Sequence, residues 1–400
     1  MEASQCDIFQ GVVYYYRENR VICRYAITMR DAIDPVALQA ALDEARVCAP
    51  YFFQKVVWER CGAHFEPNDA PCLVTEGSAQ PLIPEETNDY QLLLHYEGKT
   101  IYLDWFHFLA DGRGCAPFMT LIVMAYCNRR YGTAFACEPL ASSPAYDVEK
   151  ILAQFPESQV KNDMQGEVTE TCESTPLRAC VRIDRASLID CAVRHGVKPV
   201  AALLALVGMT VQENLKKDEL LYTFAVDTRQ AVGAPNALYN CIASFQRGVS
   251  MPESASFADV AKSIDADLHT DLSDERKLFR MAEQMGWVYQ VFSQKAPLRI
   301  QKRVFQMGEY ISGFPSDYWV SYLGDPFAPR DPELESYVED MEAWVIPDGA
   351  SLGLEAVGVH GVLNLCIENK IPQPGFADAL ATTLQREGVK VLDVQQLPAL

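Results

Sequence analysis

A histidine, an aspartate and a glycine stand at a spacing that could form a catalytic corner. In the segment Trp105–Gly112, which reads WFHFLADG, His107 ends an apolar run, and Asp111 and Gly112 follow it at a fixed distance. An imidazole with an ordinary pKa of about 6.5 can accept a proton at neutral pH. The pattern H-x-x-x-D-G is short, however, and a single histidine on an apolar face is as often a core residue. The flanking elements must therefore decide between the two interpretations.

The elements around the motif favour a functional histidine. Alternation of apolar residues predicts a strand over Thr100–His107, and helical spacing predicts a helix from about Ala116 to Arg130, closed by Gly132. His107 therefore ends a strand, and Asp111 lies in the turn that leads into a helix. Such strand-to-helix corners hold catalytic side chains at a cavity edge, on rigid supports.

Further elements are predicted in both halves of the chain. Asp34 and Pro35 provide an N-cap and a first helical residue for a helix that Pro50 ends. The predicted strands are Gly11–Tyr16, Val21–Met29, Tyr51–Trp58, Tyr90–Tyr96, Ala179–Ile183, Leu220–Asp227, Val320–Leu323, Leu352–Val359 and Leu363–Glu368. Further helical segments are predicted at about Arg185–His195, Val200–Leu215, Phe257–Ser293 and Phe376–Glu387. This pattern predicts an α/β protein with mixed sheets and helices in both halves.

The length of the chain predicts two domains. A chain of 400 residues is too long for one ordinary core and suggests two domains of roughly 150–200 residues each. The stretch 138–175 is rich in prolines, acids and serines and has little periodicity, so it is the candidate linker. We expect an N-terminal subdomain over 1–165, which carries the motif, and a C-terminal subdomain over 176–400.

Charge, hydropathy and cysteine spacing exclude several classes of protein. The net charge of −20 makes nucleic acid a poor partner. No apolar run reaches the roughly 18–20 residues of a membrane span, and the N-terminus lacks the features of a signal peptide, so we expect a cytoplasmic location and no membrane partner. The 13 cysteines are scattered singly without C-x-x-C, which predicts neither disulfides nor a metal site.

The motif and three other segments resemble the chloramphenicol acetyltransferase-like superfamily. That group includes the condensation domains of peptide synthetases, the plant acyltransferases called BAHD, and the alcohol acetyltransferases. His107–Gly112 matches its H-x-x-x-D-G signature, and Ile33–Ala45 is similar to its first helix. Val226–Arg229 resembles the family's strand that carries an arginine, and Asn240 corresponds to the asparagine in the loop after that strand. Val320–Gly324 resembles the family's short strand and turn near the end of the chain. The resemblance implies two subdomains, each a two-layer sandwich with a mixed sheet, and an active site in a channel between them.

Three departures separate the chain from the named subgroups. Phe106 stands where condensation domains carry the first of two adjacent histidines. Leu323–Pro326 occupies the region of the plant family's D-F-G-W-G box, and Tyr239 replaces the glycine that commonly precedes the asparagine. The chain therefore looks like a free-standing acyltransferase of bacterial type, and its donor and acceptor stay open.

The resemblance also implies roles for the motif residues. His107 would be the general base, and Asp111 would be structural, paired with Arg229. Gly112 would let the backbone approach the donor, and its amide would support the developing oxyanion. Asn240 and Ser321 are weaker candidates for binding the oxyanion or the substrate. The alternative for both is an ordinary role in a turn.

The function that these roles imply is acyl transfer. The leading hypothesis is an enzyme that moves an acyl group from acyl-CoA, a co-substrate, to a hydroxyl or amine of a small molecule, with no permanently bound cofactor. The alternatives are a condensation-type enzyme whose donor is tethered to an acyl carrier protein, and a non-catalytic binding relative of the same fold. The acidity of the chain disfavours an acidic carrier protein, and the intact motif disfavours the non-catalytic relative. A monomer is expected, because two stacked halves can close their own interface.

Overall fold

The computed structural model describes residues 21–156, 177–293, 296–297, 299–304, 316–327, 333–345, 351–370 and 375–397. The strands are β1 (Ile22–Met29), β2 (Gln54–Glu59), β3 (Gly62–Pro67), β4 (Thr75–Glu76), β5 (Leu92–Glu97), β6 (Thr100–Phe106), β7 (Leu177–Asp184), β8 (Glu219–Asp227), β9 (Ile242–Ser250), β10 (Tyr318–Gly324), β11 (Val338–Val345), β12 (Leu352–Val357), β13 (Val362–Asn369) and β14 (Val391–Leu397). The helices are α1 (Pro35–Cys48), α2 (Gly112–Tyr131), α3 (Val148–Gln154), α4 (Arg185–His195), α5 (Pro199–Leu215), α6 (Phe257–Asp271), α7 (Asp274–Ser293) and α8 (Phe376–Arg386). The predicted strand Gly11–Tyr16 lies outside the described residues.

Side-chain caps fix the ends of the helices in the first half. The Asp34 carboxylate accepts the amides of Val36 and Ala37, which starts α1 where the sequence predicts it. Helix α2 begins at Gly112, four residues before the predicted start at Ala116. The spacing of apolar residues does not predict this first turn, because the Asp111 carboxylate holds its beginning by accepting the Gly114 amide.

The first half is built on a five-stranded sheet in the order β11-β1-β6-β5-β4. Strand β11 belongs to the sequence range assigned to the C-terminal subdomain, yet it pairs antiparallel with β1, and Trp344 lies opposite Arg24. The division into 1–165 and 176–400 is corrected at this point, because β11 completes the sheet of the first half. Pairing across such a distance leaves no local signal in the sequence.

Part of the predicted linker is an ordered helix. Within 138–175, helix α3 buries Val148, Ile151 and Leu152 against the core of the second half. These apolar residues recur at helical spacing among the polar ones, and only their contact with the second half makes them a core element. Residues 157–176 of the linker lie outside the described part of the chain.

The second half is built on a seven-stranded sheet in the order β14-β7-β13-β12-β10-β8-β9. Alternate residues of its strands, such as Val181, Leu354 and Leu365, pack in one core with helices α4, α5, α6 and α8. The opposite side is turned toward the first half, since Arg178 of β7 lies over the ring of Trp344 of β11, 3.9 Å from its centre. We call this side the facing surface; it carries Arg178, Ser321, Glu355 and Glu368.

The mixed sheets and flanking helices confirm the predicted α/β fold class. The long segment predicted as helical over Phe257–Ser293 is two helices, α6 and α7, with a break between Asp271 and Asp274. Among the described residues no single helix is long and apolar enough to cross a membrane, although α4 and α5, which meet at 93°, pass such a test as a pair.

Trp344 joins the two halves, so its truncation should destabilise the whole fold. Its side chain is 2% exposed and packs with Cys180 and Cys366 beneath Arg178. We expect Trp344→Ala to lower the free energy of unfolding by about 3–5 kcal/mol. Val47→Ala, at a position that is 81% exposed, should change it by less than about 0.5 kcal/mol. Urea unfolding measures both, and equal effects would show that Trp344 does not join the halves.

Candidate active site

His107 lies directly after β6, and its main chain is held from both halves. Its amide donates to the carbonyl oxygen of Val21 at 2.8 Å, and its carbonyl accepts the side-chain amide of Asn240. The residue is 9% exposed, whereas Leu109 and Ala110 are fully buried. The structure therefore places His107 at the seam of the two halves, largely buried, with its Nδ1 atom inside the protein.

The predicted contact between Asp111 and Arg229 is present. One guanidinium nitrogen, Nη2, lies 2.9 Å and 3.0 Å from the two carboxylate oxygens, and both side chains are buried. Burial lowers the pKa of Arg229, but the charge and hydrogen bonds of Asp111 outweigh this effect and raise it. The Asp111 carboxylate also accepts the amides of Gly114 and Cys241, each at 2.7 Å. With four hydrogen bonds from three donor nitrogens around it, Asp111 is suited to hold the corner rather than to move protons.

Two glycines let this corner close. A Cβ atom at Gly112 would lie 2.9 Å from the hydroxyl oxygen of Tyr25, which donates to the Gly112 carbonyl at 2.6 Å. A side chain at Gly112 would therefore crowd the turn. At Gly114 a Cβ atom would lie 2.8 Å from Nη2 of Arg229 and would clash with the carbonyl oxygen of Leu238. The sequence analysis missed Gly114, although the repeated glycine directly after the motif is a visible signal.

The two weaker candidates lie in different environments. Asn240 is buried and holds the carbonyl of His107, which gives it a positioning role toward the histidine. Ser321 lies on β10 directly opposite Glu355 of the neighbouring parallel strand β12. The oxyanion role proposed for both side chains, and for the Gly112 amide, stays a prediction.

Glu355 is a titratable group that the sequence analysis missed. Its side chain is 6% exposed, and its Oε2 atom has no hydrogen-bond partner within the described part of the chain. Burial raises its pKa from 4.5 to about 8; the Ser321 hydroxyl opposes this shift, and the charge of Glu368 adds to it. At neutral pH the carboxyl is therefore mostly protonated. An acid inside the otherwise apolar strand LGLEAV was the available signal.

Two other residues of types that often act in catalysis, Cys115 and His360, lie in environments that fit a structural role. Cys115 is fully buried, and burial raises the pKa of its thiol well above 9.0, so it is not a thiolate nucleophile. His360 lies in a left-handed turn with φ of 54° and hydrogen-bonds to the carbonyl of Val338 at 2.6 Å. Within the described ranges no group of three or more histidine, cysteine or acidic side chains could hold a metal ion.

Removal of the Asp111 charge should affect stability as well as activity. Asp111→Asn leaves the buried guanidinium of Arg229 with only the partly exposed Asp227 as counter-charge, which should lower the free energy of unfolding by up to about 3–5 kcal/mol. Arg113→Gln is the matched control, because Arg113 is 69% exposed in its 3.0 Å ion pair with Asp227 and should contribute at most about 1 kcal/mol. Thermal and urea unfolding test both variants. A fully stable but inactive Asp111→Asn protein would indicate a direct catalytic role.

Ionisation of Glu355 should make the protein less stable as pH rises. The folded state binds this proton more tightly than the unfolded state, so stability is lost between about pH 4.5 and the folded pKa of about 8. Glu355→Gln cannot ionise, and its free energy of unfolding should exceed that of wild type by several kcal/mol more at pH 8 than at pH 5, at about 1.4 kcal/mol per pKa unit. Urea unfolding across this window measures the difference. Parallel pH profiles would contradict the assigned ionisation.

Comparison with known proteins rests on structure alone. No family model and no curated protein sequence matches the chain. Polyketide synthase associated protein 5 from Mycobacterium tuberculosis is similar with a TM-score of 0.63 and 17% identity, over 95% of this chain and 97% of that one. The first condensation domain of the CDA synthetase is similar with a TM-score of 0.63 and 13% identity, over 97% of this chain and 98% of that one. TRI101 from F. sporotrichioides, solved with coenzyme A and T-2, is similar with a TM-score of 0.59 and 11% identity, over 97% of this chain and 98% of that one. The chain therefore shares the fold of these solved structures, which is the fold that the resemblance in its sequence implies.

Proposed function

We propose that the protein is an acyltransferase in which His107 is the general base. The observation that carries this proposal is the position of His107 at the seam, where Val21 of the first half and Asn240 of the second hold its main chain. A buried ion pair fixes the turn that follows it. A binding protein without catalysis has no need for a histidine held in this way.

The proposed reaction transfers an acyl group from a thioester to an alcohol or amine. His107 takes the proton of the acceptor O–H or N–H as the acceptor atom forms a bond to the thioester carbonyl carbon. The C–S bond then breaks, and the thiol leaves with the proton from His107. A positioned base of this kind contributes about 10²–10⁴-fold to the rate. The N-terminus of α2, which begins at Gly112, favours negative charge and would support the oxyanion.

We propose acyl-CoA as the donor. The structural relative solved with coenzyme A supports this choice, while the condensation domain keeps a carrier-bound donor as the second candidate. The net charge of −20 disfavours docking of an acidic carrier protein. We also propose that donor and acceptor reach His107 through a channel between the halves, and that the enzyme is cytoplasmic and monomeric.

Thiol release from a panel of acyl-CoA species tests the proposal. The purified protein is incubated with each donor and with small alcohols and amines, and free thiol is followed with a thiol reagent. We expect His107→Ala to reduce release by about 10²–10⁴-fold. His269→Ala is the matched control, because His269 is an exposed histidine on α6 and its loss should leave release unchanged. Undiminished release by His107→Ala would refute the mechanism, and release only from an acyl carrier protein would favour the second donor.

A further inference from the structure

The carboxyl group of Glu355 lies between the two halves of the protein. Its neighbours on β12, Leu354 and Ala356, are fully buried in the core of the second half, so Glu355 points to the opposite side, the facing surface. Two residues further on, Val357 on the same side packs in the core of the first half. Leu323 of β10 also contacts that core, two residues after Ser321. Glu355 and Ser321 therefore lie side by side where the halves meet.

This position is close to the His107 corner. The hydroxyl of Tyr25 donates to the carbonyl of Gly112, and Leu323 lies against Gly112 from the other half. Burial raises the pKa of Tyr25, and the charges of Cys115 and Glu355 raise it further. Tyr25 is thus near the motif and within the electrostatic range of Glu355. The acid and the motif border the same interior region.

No cation of the described residues neutralises Glu355. Arg178, also on the facing surface, has its Nε atom 3.9 Å from a carboxylate oxygen of Glu368. Arg24, behind it in the first half, is bound to Asp104 by two hydrogen bonds of 2.6 Å. The Oε2 atom of Glu355 lacks a hydrogen-bond partner in the described ranges. A buried carboxyl in this state is destabilising unless a ligand completes it.

An organic ammonium group would supply the positive charge and the hydrogen-bond donor to Oε2 that the described residues around Glu355 do not provide. It supplies a positive charge and several N–H donors, which a carboxylate accepts with short, strong hydrogen bonds. Ser321 beside it offers a hydroxyl as a further partner. A neutral alcohol cannot form an ion pair with the ionised carboxylate, and an anionic ligand would oppose its ionisation. The net charge of −20 also attracts small cations.

We propose that Glu355 is a specificity-determining residue that binds the ammonium group of an acyl acceptor carrying a second, nucleophilic hydroxyl or amino group. The acceptor is therefore an amino alcohol or a diamine. One nitrogen is held at Glu355, and the other heteroatom faces His107. On binding, the Glu355 carboxyl gives up its proton to solvent and forms the ion pair. The acceptor class rests on the proposed acyltransferase function, but the ammonium site itself does not.

Direct binding without an acyl donor tests the site. The probes are 4-amino-1-butanol and 1,4-diaminobutane, with 1,4-butanediol as the uncharged match, and calorimetry measures affinity. We expect wild type to bind the two amines with release of a proton, and Glu355→Gln to bind them at least about tenfold more weakly. Glu355→Asp keeps the charge and should keep the preference for amines. Glu339→Gln is the control, because Glu339 of β11 is a half-exposed acid paired with Lys99, and this variant should behave as wild type.

Equal affinity for the diol and the amines, or amine binding that Glu355→Gln leaves unchanged, would overturn the inference. Thiol release then separates it from the proposed function. Amine binding that depends on Glu355, in a protein that releases no thiol from any acyl donor, would leave the ammonium site in place and refute acyl transfer. Thiol release that depends on His107 but has no preference for amine-bearing acceptors would refute only the role of Glu355.

Discussion

The buried ion pair between Asp111 and Arg229 is the interaction on which the site depends. Asp111 belongs to the first half and Arg229 follows the last residue of β8 in the second, so the pair joins the halves at the motif. The same carboxylate accepts the amide of Gly114 and thereby starts α2. A single side chain thus determines where the helix begins and where the second half docks. The adjacent contact of Asn240 with the carbonyl of His107 passes this geometry to the imidazole.

Local patterns predicted the elements whose ends are fixed by neighbouring residues. Helix α1 begins after its Asp34 cap, and α4 spans Arg185–His195 as predicted, because Gly196 closes it in a left-handed conformation. The strands β3, β4, β9, β11 and β14 were missed. Strand β11, for example, reads VEDMEAWV and has no regular alternation of polar and apolar residues, so only its pairing with β1 and its contact with the second sheet decide its place. That information lies far away in the sequence.

The residues of the candidate site also fall into those that local sequence predicts and those that depend on distant contacts. His107, Asp111 and Gly112 form a local motif, so the sequence was sufficient to propose them, and the resemblance added Arg229, whose contact the structure confirms. Glu355 is far from the motif in sequence, and its unusual pKa arises from burial between the halves. Burial of that kind is a property of the assembled fold, which residue spacing does not encode.

Two buried acids of the seam, Asp111 and Glu355, contrast in a way that bears on their roles. The carboxylate of Asp111 is neutralised by Arg229 and surrounded by donors, so its environment is complete without a ligand. Glu355 lies in the same region with an oxygen atom that no described residue satisfies. The first arrangement stabilises a fixed geometry, while the second lowers stability at neutral pH. A fold gains nothing from an incomplete acid at its seam unless a ligand completes it, and this difference assigns Asp111 to the framework and Glu355 to recognition.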